Sequence, residues 1–375
     1  MPSVKILHCA DLHIGAAVSF LGARAVSRRA ETLITFERII NLAAKQGVEI
    51  ILIAGDLLDS NSIEDGVFGA VLKCISSVPQ IKVVFSAGNH DPLSADSPFK
   101  KARLPENLYV LDTKDSFVQF DELKTRVYGK SFGEVYMQGC DSFSLNPSED
   151  FINLMCILGE LRSDLGSDYN SITPAFLEGC GMDYVALGHV HKRSDIAKIG
   201  GSHCAYCGCA EGQGFDELGQ KGVYLGEVSK QGCNLQFVPT AKRLHLSEKV
   251  DIGGAADSAE AADKVITFLK EKYENFSENL YKIALTGTVD EGAALSTEEI
   301  ASRLSEQVYF AKVKDKTELA IDLEAIAQEN SLKGIFVKKM LARINDAAPE
   351  QKETLLSALN LGLKAFLKEV AYDED

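Results

Sequence analysis

The sequence predicts an α/β protein built on a largely parallel sheet, because strand-like and helix-like segments alternate along its first quarter. Three short apolar runs, over residues 4–9, 48–54 and 82–86, are separated by longer stretches with apolar residues at helical spacing. Helical crossovers of this kind join parallel strands and are right-handed. Each run ends in polar residues, and ligands bind beyond the carboxyl ends of such strands.

The first two crossovers are predicted helices with recognisable ends. The first covers residues 27–46 and is closed by Gly47 as a C-cap. The second covers residues 63–77, with Ser62 as its N-cap. Short alternating runs over residues 109–132 then predict antiparallel strands. Three further elements are a strand at 151–158, a helix near 174–179 and a strand at 183–187.

The chain changes its pattern after residue 245. Residues 251–257 have the composition of a linker, and a small alternation of helices and strands follows. Two helices are predicted at the end, over residues 332–344 and 349–370. An apolar stripe on the last helix is more often core packing than a docking surface, and it contains Leu355, Leu359, Leu363, Phe366 and Val370. We therefore expect a domain over residues 1–245, a small α/β domain over residues 246–320 and a helical pair over residues 321–375.

The composition predicts a soluble globular protein with reduced cysteines. Hydrophobic residues make up 46% and charged residues 25% of the chain, and no window approaches the roughly 18 apolar residues of a membrane helix. An odd number of cysteines, nine, argues against a disulfide framework. Because a signal-peptide pattern is missing, we expect a cytoplasmic protein without membrane contact. The net charge of −15 argues against a general nucleic-acid coat, although local basic residues such as Arg24, Arg28 and Arg29 leave room for a nuclease.

Four motifs of carboxylate, imidazole and amide residues fall at the ends of predicted strands. They are Asp11-x-His13, Asp56-x-x-Asp59, Asn89-His90-Asp91 and His189-x-His191. One such pair alone is more often a hydrogen-bonded turn than a ligand set, but four sets at the strand ends of one sheet argue for convergence. These ligand types suit manganese, iron or zinc, and two such ions can clamp both oxygens of a phosphoryl displacement. The sequence therefore predicts two divalent metal ions and hydrolysis of a phosphoester.

The motifs DLH, GDLLD, GNHD and GHVH, in this order, resemble those of the calcineurin-like metallophosphoesterases. This resemblance implies a metallophosphoesterase β-sandwich flanked by helices. The contexts HCADLHIG, AYCGCAEGQGFDELGQKGVYL and ENSLKGIFVKKML are similar to the SbcD-type DNA-repair exonuclease subunits, nearest to their YhaO-type branch. The second resemblance implies manganese, cleavage of DNA, a homodimer and a coiled-coil ATPase partner of the SbcC type. It also implies that the domain over residues 246–320 is a DNA-facing cap and that the C-terminal helices dock the ATPase.

The same resemblance implies a role for each motif residue. It assigns one metal to Asp11, His13 and His191 and the other to Asn89 and His189, with Asp56 as the bridge. It makes His90 the proton donor or transition-state stabiliser for attack by a metal hydroxide, with Asp91 orienting its ring. Asp59 is expected to hold an imidazole ligand in its tautomer.

The sequence departs from the family pattern at Leu158. A fifth motif of the family is a strand that ends in His-Gly, and Leu158 stands where its metal-binding histidine is expected. Because leucine cannot bind a metal, we expect the second metal site to be weak or vacant. Cys156 and Glu160 lie on the same face of an extended strand and are the alternatives for the missing ligand.

A second departure is a cluster of metal-binding residue types after the last motif. His203, Cys204, Cys207 and Cys209 invite a zinc hypothesis, but the sequence lacks a matching second cluster. A turn lined by small residues near the active site is the simpler interpretation. His8, on the first strand, is expected to be a core histidine with hydrogen-bond partners rather than a ligand.

Three functions compete at this point. The first is a metal-dependent DNA exonuclease or endonuclease subunit that acts with an ATPase. The second is a catalytically impaired member of the same fold, a DNA-binding or ATPase-docking scaffold, and Leu158 is the reason to keep it. The third is a phosphodiesterase for small molecules or cyclic nucleotides, for which the cap and the C-terminal helices have no evident use.

Overall fold

A computed structural model describes residues 2–366 of the chain, except residues 140–142, 144, 165, 291 and 321. Contacts divide the chain into two compact units, Met1–His245 and Leu246–Asp375. The roles expected for the regions on either side of residue 245 stay predictions.

The first unit contains two six-stranded sheets. Its strands are β1 (Ser3–Cys9), β2 (Ile50–Ala54), β3 (Lys82–Ser86), β4 (Leu108–Val110), β5 (Ser116–Phe120), β6 (Thr125–Gly129), β7 (Ile152–Leu158), β8 (Glu160–Leu161), β9 (Ser171–Ile172), β10 (Tyr184–Gly188), β11 (Ala197–Ile199), β12 (Ser202–Tyr206), β13 (Gly222–Ser229) and β14 (Gly232–Pro239). The strand orders are β14-β13-β1-β2-β3-β4 and β11-β12-β10-β7-β6-β5, while β8 and β9 pair separately. In each sheet the central strands run parallel and antiparallel strands lie at an edge.

The two sheets face each other across one apolar core. Side chains from β1, such as Ile6, pack in the same buried cluster as Leu154 of β7 and Tyr184 of β10. Helices cover the two outer faces, and they are α1 (Ala25–Gln46), α2 (Asp65–Ser76), α3 (Pro98–Lys101) and α4 (Pro174–Gly179), with short 3-10 helices at Ser19–Arg24 and Asp121–Leu123. This arrangement confirms the predicted β-sandwich flanked by helices.

Most of the predicted elements of this unit are present, with local differences. Gly47 ends α1 in the left-handed conformation, at φ 66°, as expected of a C-cap glycine. The N-cap of α2 is Glu64 and not Ser62, because the helix begins two residues later than predicted. The prediction of antiparallel strands over residues 109–132 is right for β5 and β6 but wrong for β4, which pairs with β3 in parallel.

The second unit is a small α/β layer followed by helices. Its elements are β15 (His245–Asp251), α5 (Ser258–Lys272), β16 (Leu280–Thr286), β17 (Thr288–Val289), α6 (Thr297–Ser305), β18 (Phe310–Asp315), β19 (Glu318–Leu319), α7 (Leu323–Ala327), α8 (Leu332–Asp346) and α9 (Pro349–Phe366), with a 3-10 helix at Phe276–Glu278. The sheet β15-β16-β18 buries one face against α5 and α6.

The predicted stripe on the last helix has a mixed outcome. Leu359 and Leu363 are buried in a cluster that α7, α8 and α9 share, so part of the stripe is core packing. Phe366 is 40% exposed, and Val370 lies outside the described residues. None of the described helices is long and apolar enough to cross a membrane. The cysteines that the structure describes are all free thiols.

Candidate metal centre

The four predicted motifs meet at the carboxyl ends of β1, β2, β3 and β10. The chain after β1 runs beside the chain after β2, since Asp11 N donates to Gly55 O at 3.1 Å and His13 N donates to Asp56 O at 3.0 Å. The end of β10 comes equally close from the other sheet. A Cβ atom on Gly188 would lie 1.8 Å from the backbone oxygen of Ala54, so only glycine permits this approach.

Backbone conformation marks the same residues. Six described residues other than glycine have a positive φ, and four of them belong to the motifs: Asp11 (50°), His13 (42°), Asp56 (49°) and His189 (96°). A side chain in this region costs conformational energy, and such residues cluster at functional sites. The strained residues therefore mark the same four loops as a candidate functional site.

The first donor group consists of Asp11, His13 and His191, each with a ligand atom within 4.8 Å of the others. The Nε2 atoms of His13 and His191 are 3.1 Å apart. Asp11 Oδ1 accepts a hydrogen bond from His189 N at 2.9 Å, whereas Asp11 Oδ2 is buried and has no partner among the described residues. An unpaired buried carboxylate oxygen is costly, and a cation between these three side chains would satisfy it.

Asp56 lies next to this group at the centre of the site. It is 2% exposed, its Oδ1 accepts from His90 N at 2.9 Å, and its Oδ2 is 4.0 Å from His13 Nε2. Burial, followed by repulsion from Asp91, raises the pKa of Asp56 to about 6, and burial with repulsion from Asp56 raises the pKa of Asp11 to about 6. Positive charge at this place would relieve both carboxylates, so the residues fit a divalent metal ion.

The predicted second donor group is less complete. Asn89 Oδ1 is buried without a partner among the described residues, which suits a ligand. His189 is the other predicted ligand of this group, and its backbone N donates to Asp11 Oδ1 at 2.9 Å. Its ring stacks on Tyr169 with the centroids 5.0 Å apart, and burial lowers its pKa. For the second group the structure thus shows an unpaired Asn89 oxygen and a His189 ring that packs on Tyr169.

Leu158 fills the position where the family pattern has a ligand. A Cβ on Gly88 would lie 2.1 Å from Asp56 Oδ1 and 2.7 Å from Leu158 Cδ1, so the leucine methyl group and the carboxylate are neighbours. Cys156 cannot replace the missing ligand, because it is fully buried between the sheets and its thiol faces Val84 O. Glu160, the other alternative, forms an ion pair with Arg162, with 3.4 Å between Oε2 and Nη1.

The surroundings of His90 differ from the prediction. The Asp91 oxygens accept hydrogen bonds from Leu58 N at 3.0 Å and Gly88 N at 2.8 Å, so this buried carboxylate fixes the two loops and not the His90 ring. His90 Nδ1 instead lies 3.0 Å from the backbone oxygen of Asp59. Asp59 Oδ1 is 3.5 Å from His13 Nδ1 without a hydrogen bond between them, so the expected orienting role of Asp59 stays a prediction.

Glu217 contacts the site and was not among the predicted residues. Its Oε1 accepts a hydrogen bond from His191 Nδ1, and its Oε2 accepts one from Gln213 N at 2.7 Å. Although burial raises the pKa of a carboxyl group, the contact with His191 and the other donors lowers the pKa of Glu217 to about 2. One acidic residue in a glycine-rich loop carries no sequence signal that would have identified it.

The other candidates differ in location. Cys204 packs on the outer face of its sheet and Cys207 in the core between the sheets, so these two thiols do not share a zinc site, whereas Cys209 lies beside His191 and Glu217. His8 is fully buried, with Nδ1 2.9 Å from the Tyr184 hydroxyl and Nε2 3.2 Å from Leu187 O, which confirms a core histidine.

One of the basic residues expected to guide a nucleic acid is also internal. Arg28 is 1% exposed, and its guanidinium group donates to Glu31 at 2.8 Å and to Glu211 at 2.7 Å. A buried ion pair of this kind is not available to a phosphate backbone, so Arg28 has a structural role.

The fold and the donor set define a metal-dependent phosphoesterase. Consistent with this class, the sequence pattern of the family described as Calcineurin-like phosphoesterase matches residues 4–193. The chain belongs to this family, which implies a phosphoester hydrolase that uses divalent metal ions.

Three proteins of similar sequence indicate which members of the family this chain resembles. The chain is 26% identical over 307 residues to an uncharacterized metallophosphoesterase YhaO of Bacillus subtilis, covering 78% of this chain and 74% of that protein. It is 25% identical over 357 residues to the DNA double-strand break repair protein Mre11 of Methanopyrus kandleri, covering 87% and 76%. A shorter match, 29% over 93 residues, covers 24% of this chain and 22% of a subunit of the nuclease SbcCD from Rhodobacter capsulatus.

Proposed function

We propose that this protein is a metal-dependent DNA phosphodiesterase, the nuclease subunit of a DNA-repair assembly. The convergence of Asp11, His13 and His191 carries the proposal, because a cation is the best partner for a buried carboxylate oxygen and two facing imidazole nitrogens. Relatives named as a double-strand break repair protein and as part of a nuclease support DNA as the substrate.

Two ions, with manganese as the expected metal, would be held on either side of Asp56. Asp11, His13 and His191 would bind one, and Asn89 and His189 the other. Bound ions of this kind supply an activated water and charge stabilisation at the phosphoryl group. The mixture of oxygen and imidazole donors suits manganese, with iron and zinc as alternatives.

The side chains of this protein have three separate tasks in the proposed reaction. His90 would act as an imidazolium: its Nδ1–H donates to the backbone oxygen of Asp59, and its second proton, on Nε2, would go to the leaving oxygen. Asp91 keeps the loops after β2 and β3 together through their backbone. Asp59 lies 3.5 Å from Nδ1 of His13, opposite the ring nitrogen that would bind the metal.

The assembly is a further part of the proposal. We expect a homodimer that works with a coiled-coil ATPase of the SbcC type, as the name of the relative from Rhodobacter capsulatus suggests. The α/β part of the second unit would face DNA, and α8 and α9 would dock the ATPase. Exposed apolar side chains on these two helices, Leu332 (74%), Ile335 (51%) and Leu356 (50%), support a docking role.

Leu158 favours a second candidate function. With leucine beside Asp56, the second ion would have only Asp56, Asn89 and His189 as expected protein donors. A protein that binds one ion well and the other poorly would cut DNA slowly and would serve mainly as a DNA-binding or ATPase-docking scaffold.

One assay separates the candidates. The full chain is incubated with manganese and either linear duplex DNA or bis-p-nitrophenyl phosphate, a small phosphodiester. The nuclease proposal expects manganese-dependent cleavage of DNA that Asp11→Asn and His90→Ala abolish. Binding of DNA without cleavage, even after addition of the ATPase, would support the scaffold, whereas cleavage of the small diester alone would support a small-molecule phosphodiesterase.

A further inference from the structure

The loop between β12 and β13 holds His191 from two sides. The backbone oxygen of His191 accepts from Cys209 N at 3.2 Å and from Lys221 Nζ at 3.1 Å. The imidazole is held independently, because its Nδ1 donates to Glu217 Oε1. Backbone and ring of this one residue are therefore both fixed by a segment that lies far from the other three motifs in the sequence.

The Glu217 carboxylate is itself fixed. Its side chain is only 11% exposed, and its second oxygen accepts from Gln213 N at 2.7 Å and from Cys209 Sγ at 3.6 Å. With both oxygens engaged, the carboxylate cannot rotate away from the ring without losing several hydrogen bonds. It therefore presents a stationary acceptor to His191 Nδ1.

A proton fixed on Nδ1 determines what the other ring nitrogen can do. In a neutral imidazole one nitrogen carries the proton and the other keeps a lone pair. With Nδ1–H on Glu217, the lone pair is on His191 Nε2, which lies 3.1 Å from His13 Nε2 in the first donor group. An imidazole in the opposite tautomer would point a hydrogen at this place and could not bind a cation.

We propose that Glu217 is the positioning residue of His191, which selects its tautomer and ring orientation for binding of the metal ion. The inference rests on the proposed function, because it requires a metal at the first donor group. In this role Glu217 would bind His191 and not the ion, although its carboxylate, His191 and Cys209 also lie close enough together to form a ligand group. Partners of this type commonly change metal affinity by about 10–100-fold when they are removed.

Asp59 offers an internal comparison. Its Oδ1 lies 3.5 Å from Nδ1 of His13 without forming a hydrogen bond, and its side chain is 37% exposed. Contact with water and the longer distance weaken its hold on the ring. The ring of His191 is therefore held more firmly by its carboxylate than the ring of His13.

The test measures manganese binding to the full chain by calorimetry. Glu217→Ala removes the acceptor, Glu217→Gln keeps an acceptor oxygen without the charge, and Asp216→Asn removes a charge from the exposed neighbouring residue. We expect manganese to bind about 10–100-fold more weakly to the alanine variant, less weakly to the glutamine variant, and equally well to the control. Thermal unfolding of the metal-free proteins shows whether each variant is folded.

A second readout does not depend on metal. Imidazole ¹⁵N shifts of the metal-free protein, recorded at a pH where the rings are neutral and assigned with His191→Asn, report which nitrogen is protonated. We expect the proton on Nδ1 of His191 in the unmodified chain and a shift toward Nε2 in Glu217→Ala. The inference alone is overturned if the unmodified chain binds manganese and Glu217→Ala binds it equally well, or if the proton is already on Nε2. If the unmodified chain binds no manganese, the proposed function falls and the inference falls with it.

Discussion

Replacement of Leu158 by histidine tests whether the second metal lacks only one ligand. Leu158 is fully buried, and Cβ atoms on Gly55 and Gly88 would lie 2.4 and 2.7 Å from its Cδ1. The side chain therefore fills a narrow space between two glycines, directly beside Asp56. An imidazole placed there enters next to the carboxylate that is expected to bridge the ions.

The expected effect on stability has opposite signs with and without metal. In the metal-free protein Leu158→His places a polar ring in an apolar space, and an unpaired buried polar group costs about 1–3 kcal/mol. Once a second ion binds the ring, binding stabilises the folded state by about 2.7 kcal/mol at a free metal concentration of 100 Kd. The variant is then less stable than the unmodified chain in chelator and at least as stable in manganese.

The measurement combines urea unfolding with metal counting by mass spectrometry. Leu158→Met is the matched control, because methionine has a similar volume and its thioether is a poor ligand for manganese. We expect about one tightly bound ion per unmodified chain or methionine variant and two per histidine variant. Two equally tight ions in the unmodified chain, with no gain for Leu158→His, would refute the idea of an incomplete second site.

Three further predictions concern different parts of the first unit. Burial lowers the pKa of His8 from 6.5 to about 3. Between these values the unfolded chain binds a proton that the folded chain does not, so the free energy of unfolding should fall as the pH drops from about 6.5 toward 3, by on the order of 4 kcal/mol. In urea unfolding His8→Gln should flatten this pH dependence. Asp59→Asn should weaken manganese binding less than Glu217→Ala does in the same calorimetric titration, and an equal or larger loss would contradict the comparison of the two contacts. Gly188→Ala should destabilise the protein by several kcal/mol in urea unfolding, because its Cβ would meet a backbone oxygen of β2, whereas Gly201→Ala has open space and should be nearly neutral.

The sandwich domain was largely predictable because its signals are local. Runs such as residues 50–54 are entirely buried, and continuous apolar runs of this length are typical of central parallel strands. Partner choice is not local, which explains the error at β4: a three-residue strand has too few side chains to reveal whether its neighbour runs parallel or antiparallel. The N-cap of α2 was predicted wrongly because serine favours turns as well as N-caps, so a serine alone does not show where a helix begins.

The candidate site also contains residues whose roles were predictable from the sequence and residues whose roles were not. Motif residues such as Asp11 and Asp56 were recognisable because donor types recur at strand ends, and strand ends of one sheet lie together. The task of Asp91 was not, because the sequence places it next to His90, whereas the fold turns its carboxylate toward the backbone of Leu58 and Gly88. Adjacent residues in a loop commonly point in different directions, so sequence proximity gave the wrong partner.

The two sides of Asp56 differ in how they would hold a metal, and this difference predicts an order of binding. On one side, His191 Nδ1 donates to Glu217, Asp59 Oδ1 lies 3.5 Å from His13 Nδ1, and the buried Asp11 Oδ2 lacks a partner among the described residues. On the other side, the ring of His189 is stacked on Tyr169 and an apolar side chain occupies the remaining position. The first ion should therefore bind beside Asp11. Its charge would lower the pKa of Asp56, which would favour the carboxylate form that a second ion needs, so the weaker site should fill only after the stronger one.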